Sequence, residues 1–175
     1  MIQRFFRTTI PLLLSSVLLV LTTISCDDNS LTPVRYDDIG PFDTTGVESV
    51  TAANGLTIYF HDEGHGEVIA ENHSVRIRYT GRTTDGDIFD SSFRNEVDAP
   101  TTLLLRNMIT GFMQGLAGYN QVVDGQNVRM HAAREGSRRT LVIPPSLGYG
   151  NNSSHRLRAD TLVFDIDVVA IATEN

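Results

Sequence analysis

The chain of 175 residues has one cysteine, no lysine and no apolar run as long as a membrane span. A lone cysteine excludes an internal disulfide. Its position, Cys26, is also far from the part of the chain that patterns as a folded domain. None of the serines lies in a G-x-S-x-G turn, so the nucleophile elbow of the hydrolases is absent. All fourteen basic residues are arginines, a bias for which the sequence offers no physical reason. The formal charge of −7 argues against nucleic acid as a partner. The histidines are His61, His65, His73, His131 and His155. His61 and His65 stand four apart near acids, but Gly64 and Gly66 break any helix that would align them on a metal. "HDEGHGE" therefore reads as a polar turn. Asp124-Gly125 lacks the further acidic ligands of a calcium loop and reads as a surface loop or hairpin. No cofactor is expected.

What is present begins with Met1 to Ser25: Arg4 and Arg7, an apolar stretch from Leu12 to Leu21, then small polar residues before Cys26. The stretch is short of the roughly 20 residues that span a bilayer and has the three regions of an export signal. Residues 1–25 are expected to be removed. That loses two arginines and no acid, leaving a charge of −9. "TISC" followed by "DD" resembles a bacterial lipoprotein signal, with Thr23 where Leu is usual. The resemblance implies acylation of Cys26 and a lipid-anchored protein of the cell envelope, on a membrane and side that the sequence leaves open. The alternative is an ordinary signal peptide that happens to end at a cysteine. Residues 26–53 are rich in Asp, Thr, Pro, Gly and Ser and read as a flexible spacer. Residues 54–175 are expected to form one domain.

In that domain "SVRIRYTG" alternates, with Val75, Ile77 and Tyr79 on one side and Arg76 and Arg78 on the other. This is a strand with one buried face. "LTIYF", "PTTLLL", "SRRTLVIP" and "TLVFDIDVVAI" are further strands; Leu162, Phe164, Ile166 and Val168 line one face of the last. Asp85-Gly86 predicts a hairpin turn. Met108, Ile109, Phe112, Met113 and Leu116 fall near helical spacing, with Asn107 as the expected N-cap. Internal glycines make that helix short. The pattern predicts an α+β domain, an antiparallel sheet packed on one short helix.

"VRIRYTGRTTDGDIFDSS", "MITGFMQGL", "REGSRRTLVIPPSLGYG" and "DTLVFDIDVVAI" follow one another in this order. Together they resemble the FKBP-type peptidyl-prolyl cis-trans isomerases over roughly Gly55 to Ile171. The resemblance implies a curved antiparallel sheet wrapped around one short α-helix, with a proline pocket between them. It implies catalytic roles for Tyr79, Asp90, Ile109 and Tyr149, and substrate contacts from Phe89, Met108, Phe112, Leu157 and Phe164. Tyr79 would hold Asp90. Met108 stands where the family usually has Val, and Phe112 where it usually has Trp. Leu157 takes the place of an Ile in a shorter, altered loop. The aromatic usual near Thr101 is missing. "YNQVVDGQNVRMHAA" exceeds the family's usual connection after the helix. The partners implied are proline-containing polypeptide clients and macrolide inhibitors, and a monomer is expected. Two other readings compete with an isomerase: a proline-segment binding module with little turnover, and a structural lipoprotein that keeps only the fold.

Overall fold

The computed structural model describes residues 39–93 and 97–172. The expected signal, Cys26 and the first part of the spacer lie outside the described residues. Among those described, no helix is long and apolar enough to cross a membrane.

Strands run in chain order as β1 (Ser49–Thr51), β2 (Thr57–Asp62), β3 (Ser74–Thr83), β4 (Ile88–Ser91) and β5 (Thr101–Leu104). One helix, α1 (Thr110–Ala117), follows, then β6 (Tyr119–Val123), β7 (Gln126–Met130), β8 (Arg138–Ile143) and β9 (Leu162–Ile171). Seven strands form one sheet in the order β1-β2-β8-β9-β3-β4, with β5 also on β3, while β6 and β7 make a separate hairpin. Every strand pair is antiparallel. The α+β expectation holds, as an open sheet with one short helix.

The core follows the sequence pattern. Val75, Ile77 and Tyr79 of β3 and Leu162, Phe164, Ile166 and Val168 of β9 are all buried. Phe112 and Leu116 of α1 pack into the same cluster. Burying each such side chain contributes about 1.5–3 kcal/mol. The helix begins later than expected. Asn107 ends a short 3-10 turn, Leu105–Asn107, and the N-cap is Ile109 with no side-chain cap. That turn buries Leu105 completely, so the chain re-extends at Met108 before the helix starts. The glycines that shorten α1 also seat it. A Cβ at Gly111 would lie 2.4 Å from Ile143, and one at Gly115 would lie 2.4 Å from Leu141. Their absence lets the helix backbone sit directly on β8.

The spacer expected up to Ala53 needs correction over its last part. β1 lies within residues 26–53 and pairs with β2. Ahead of it, residues 39–43 strap across polar residues of the sheet. Asp165, 3 % exposed, accepts from Arg82 (2.6 Å), Thr140 (2.7 Å) and the Phe42 N–H (3.3 Å). The other guanidinium nitrogen of Arg82 donates to the Ile39 carbonyl. The Phe42 ring lies under the Arg138 guanidinium, 3.7 Å from its centroid, and meets His61 edge-on at 5.3 Å. A polar composition reads as flexible, but here its backbone groups add bonds to the buried Arg82–Asp165 pair, and its one aromatic lies against the part-exposed Arg138.

Candidate active site

The first question for the site is how two neighbouring strand residues, Phe89 and Asp90, can serve one face. Strict alternation sends them to opposite sides. The β3–β4 register supplies the answer. Gly81 pairs with Asp90 and Arg82 with Ile88, so Phe89 is the extra residue of a β-bulge. A bulge sets two residues against one and re-aims side chains. Its far end is fastened: the Tyr79 carbonyl accepts from the Ser92 N–H (2.9 Å) and the Ser91 hydroxyl (3.1 Å).

Phe89 then meets Phe164 edge to face at 5.4 Å between centroids. Phe164 in turn meets Phe112 at 5.1 Å and Tyr79 at 6.3 Å, and Tyr79 meets Phe112 at 6.1 Å. Three of these contacts are near-perpendicular, at 79° to 90°, which suits the charge distribution of aromatic rings, and Tyr79 tilts at 40° to Phe164. The strand beneath makes room for them. A Cβ on Gly81 would lie 2.7 Å from Phe164 Cε1 and 2.9 Å from Phe89 Cζ. Gly81 is thus a residue of the site that sequence reasoning missed. Its signal, a glycine inside an alternating strand, was visible in "RYTGR".

Asp90 and Tyr149 are brought together. The Tyr149 hydroxyl has its pKa raised, first by burial and second by the negative charge of Asp90. Tyr149 stacks on His155, with centroids 3.7 Å apart and planes 17° from parallel. Nδ1 of His155 accepts the Leu157 N–H at 3.2 Å. The loop is a run of turns, with Asn152 N–H on Tyr149 O, His155 N–H on Asn152 O and Arg158 N–H on His155 O. This folds Leu157 inward to 5 % exposure. His155 is a second residue of the site that was missed; no spacing in the loop announces the stacking.

Burial divides the expected residues. Phe112 is 0 % exposed and Phe164 3 %, and Tyr79 is also buried. Phe89, Asp90, Met108, Ile109 and Tyr149 keep part of their surface. A ligand would therefore touch the second group, with the first group behind it. Ile109 sits where expected, at the start of α1, where the first N–H groups of a helix lack internal acceptors. Among the described residues there is no group of three or more His, Cys, Asp or Glu side chains placed to hold a metal. His61 instead bonds Thr140 through Nε2 at 2.9 Å.

A curved antiparallel sheet cradling one short helix, with aromatic rings where they meet, defines an FKBP-like class of protein. The comparisons agree. Residues 66–169 match the family of FKBP-type peptidyl-prolyl cis-trans isomerases, and the chain belongs to that family. It is 31% identical over 121 residues to the FKBP-type peptidyl-prolyl cis-trans isomerase FkpA of Buchnera aphidicola, covering 68% of this chain and 42% of that protein. It is 35% identical over 102 residues to the peptidyl-prolyl cis-trans isomerase FKBP15-1 of Arabidopsis thaliana, covering 57% of this chain and 58% of that one. The crystal structure of FkpA from Escherichia coli superposes with a TM-score of 0.57 at 27% identity, covering 70% of this chain and 51% of that one. The chain thus spans under half the length of the Buchnera relative.

Proposed function

We propose that this chain is a peptidyl-prolyl cis-trans isomerase that turns X-Pro bonds in polypeptide clients at the surface formed by Phe89, Asp90, Met108, Ile109 and Tyr149. The observation that carries the reading is the bulge at Phe89, which presents a ring and a carboxylate together beside Tyr149. Rotation about X-Pro faces a barrier of about 18–20 kcal/mol and takes tens to hundreds of seconds unaided. It needs no covalent step, only tighter binding of the twisted amide than of either planar form. Each 1.4 kcal/mol of that preference is worth about tenfold in rate. Phe89 would hold the proline ring. The Tyr149 hydroxyl, protonated at neutral pH like any tyrosine and held further that way by burial and Asp90, would donate to a substrate carbonyl, and the N–H of Ile109 would hold another. Asp90 acts as a fixed negative charge and transfers no proton.

A second reading, a proline-segment binding module with little turnover, is favoured by one observation. Phe112 stands where the family usually has Trp and offers no surface to a ligand. Turnover and binding of one proline peptide, measured on the same protein, separate the two. Catalysed cis-to-trans exchange supports the first reading, and binding without acceleration supports the second.

The export proposal rests on residues 1–26. Acylation of Cys26 would tether the domain in the cell envelope, where its clients would be exported chains. Cys26→Ser should move the protein to the soluble envelope fraction or leave an unprocessed precursor. Unchanged membrane association after cleavage would refute it.

A further inference from the structure

A cleft of about 380 Å³ shares no lining residue with the candidate active site. One wall is residues 50–54, the other is residues 119–121, and His131 completes it. The first wall is the end of β1 and the turn after it, and the second is the edge of β6. On β1, the Phe60 N–H donates to Glu48 O and the Ala52 N–H donates to Leu56 O. Alternation then turns the main-chain groups of Ser49 and Thr51 away from β2. On β6, the two-residue turn Asp124-Gly125 has positive φ at both positions, 51° and 76°, the signature of a tight hairpin. Val123 and Gln126 flank it as a bonded pair, so Asn120 and Val122 turn their groups away from β7. Among the described residues β1 pairs only with β2, and β6 only with β7.

The second wall is held firmly. Arg139, 1 % exposed, donates to the carbonyls of Gly115 (3.0 Å) and His131 (2.6 Å) and to Glu63 (3.2 Å). Arg129 donates to the Ala117 carbonyl at 2.9 Å, and the Ala133 N–H to Leu116 O at 2.7 Å. The insertion is therefore a fixed arm, so little ordering cost is left for binding. No carboxylate, arginine or lysine lines the cleft, although the chain carries a charge of −7.

We propose that this cleft binds an extended, uncharged polypeptide segment as an added strand, through the outward main-chain groups of Thr51 on one wall and Asn120 on the other. Unpaired strand edges are templates for main-chain pairing, and a neutral lining asks for backbone, not for a charged ligand. The volume suits a single short strand rather than the edge of a folded second copy. β1 is three residues long, which at about 3.3 Å per residue gives a contact of about 10 Å. The cleft would give a polypeptide client a second hold, and that hold needs no turnover.

The test uses the full chain and a fluorescently labelled, proline-free peptide of alternating Thr and Val, with binding followed by anisotropy. Thr51→Pro and Asn120→Pro each remove an outward N–H from one wall; proline is tolerated on strand edges. Each is expected to weaken binding at least tenfold. A peptide N-methylated at alternate amides should bind as poorly to the unaltered chain, which needs no variant to fold. Thr51→Pro should still isomerise a short proline peptide, if the proposed activity holds. Binding with no isomerase activity would sustain the cleft and sink the isomerase reading. Binding by both proline variants as tight as by the unaltered chain, displacement by a short proline peptide, or a dimer that Thr51→Pro dissolves would each overturn the cleft proposal.

Discussion

Adding one methyl group at Gly81 tests the ring cluster where it is tightest. The new Cβ would stand 2.7 Å from Phe164 and 2.9 Å from Phe89. Phe164 is 3 % exposed and held by Tyr79 and Phe112, so it has nowhere to go. Phe89 is only half-buried and is the ring that must swing outward. Three contributions set the size. Alanine recovers about 0.5–1 kcal/mol relative to glycine in a strand. Overpacking costs about 1–3 kcal/mol. Losing the Phe89–Phe164 pair costs about 0.5–1.5 kcal/mol. The net loss is about 0.5–4 kcal/mol, and each kcal/mol lowers Tm by about 2–4 °C in a chain of this size. Thermal melting of Gly81→Ala should show that fall, and turnover of a proline peptide should drop at least tenfold because Phe89 has left its place. In a Phe89→Ala background the same methyl should cost less, since one of the two rings it strikes is gone. If Gly81→Ala matched the parent in both melt and turnover, the proposed packing of Phe89 over Gly81 would be wrong.

Three further outcomes follow from the same geometry. A chain beginning at Val50 loses the Phe42 N–H on Asp165 and the Ile39 carbonyl on Arg82. Bonds to charged groups contribute about 1.5–3 kcal/mol each, so its melt should fall by several degrees; an unchanged melt would show that the strap contributes nothing. Asp90→Asn removes the charge that helps raise the Tyr149 pKa. Folding favours the neutral phenol, so that stabilisation is present below about pH 10 and is lost as pH rises through the raised value. Phenolate absorbance should show Tyr149 ionising at lower pH in Asp90→Asn, and no change would separate the two residues. Phe112→Ala should cost about 3–5 kcal/mol, because the ring is fully buried. Phe112→Trp should cost about 1–3 kcal/mol by overpacking, and a Trp variant as stable as the parent in a denaturant melt would show that the site has room for the larger ring.

The sheet was legible because its strands alternate. Val75, Ile77 and Tyr79 point inward as their spacing predicts, and both Asp-Gly pairs mark real hairpins. Local pattern stops where two distant segments decide the outcome. Alternation puts Phe89 and Asp90 on opposite faces, and only the register against β3 reveals the bulge. Gly111 and Gly115 read as helix breakers, yet what matters is Ile143 and Leu141 pressed against them. Arg82 falls on the same side of β3 as Arg76 and Arg78 but is 5 % exposed, because the strap at Ile39, 43 residues upstream, covers it. Ile39 and Phe42, apolar residues in a polar stretch, were the sequence's sign of that strap. Phe112 reads as a ring of the site, while its complete burial depends on two other rings, Tyr79 and Phe164, packed against it.

The central claim is that Phe89, Asp90 and Tyr149 form a surface that turns X-Pro bonds. The most direct measurement is the cis-to-trans exchange rate of a short proline peptide with the purified chain and with its Asp90→Ala, Phe89→Ala and Tyr149→Phe variants, each checked by melting. The account predicts acceleration that saturates with peptide, and at least a tenfold loss in Phe89→Ala and Asp90→Ala while the fold survives. An exchange rate equal to that of the peptide alone, or full activity in all three variants, would contradict it.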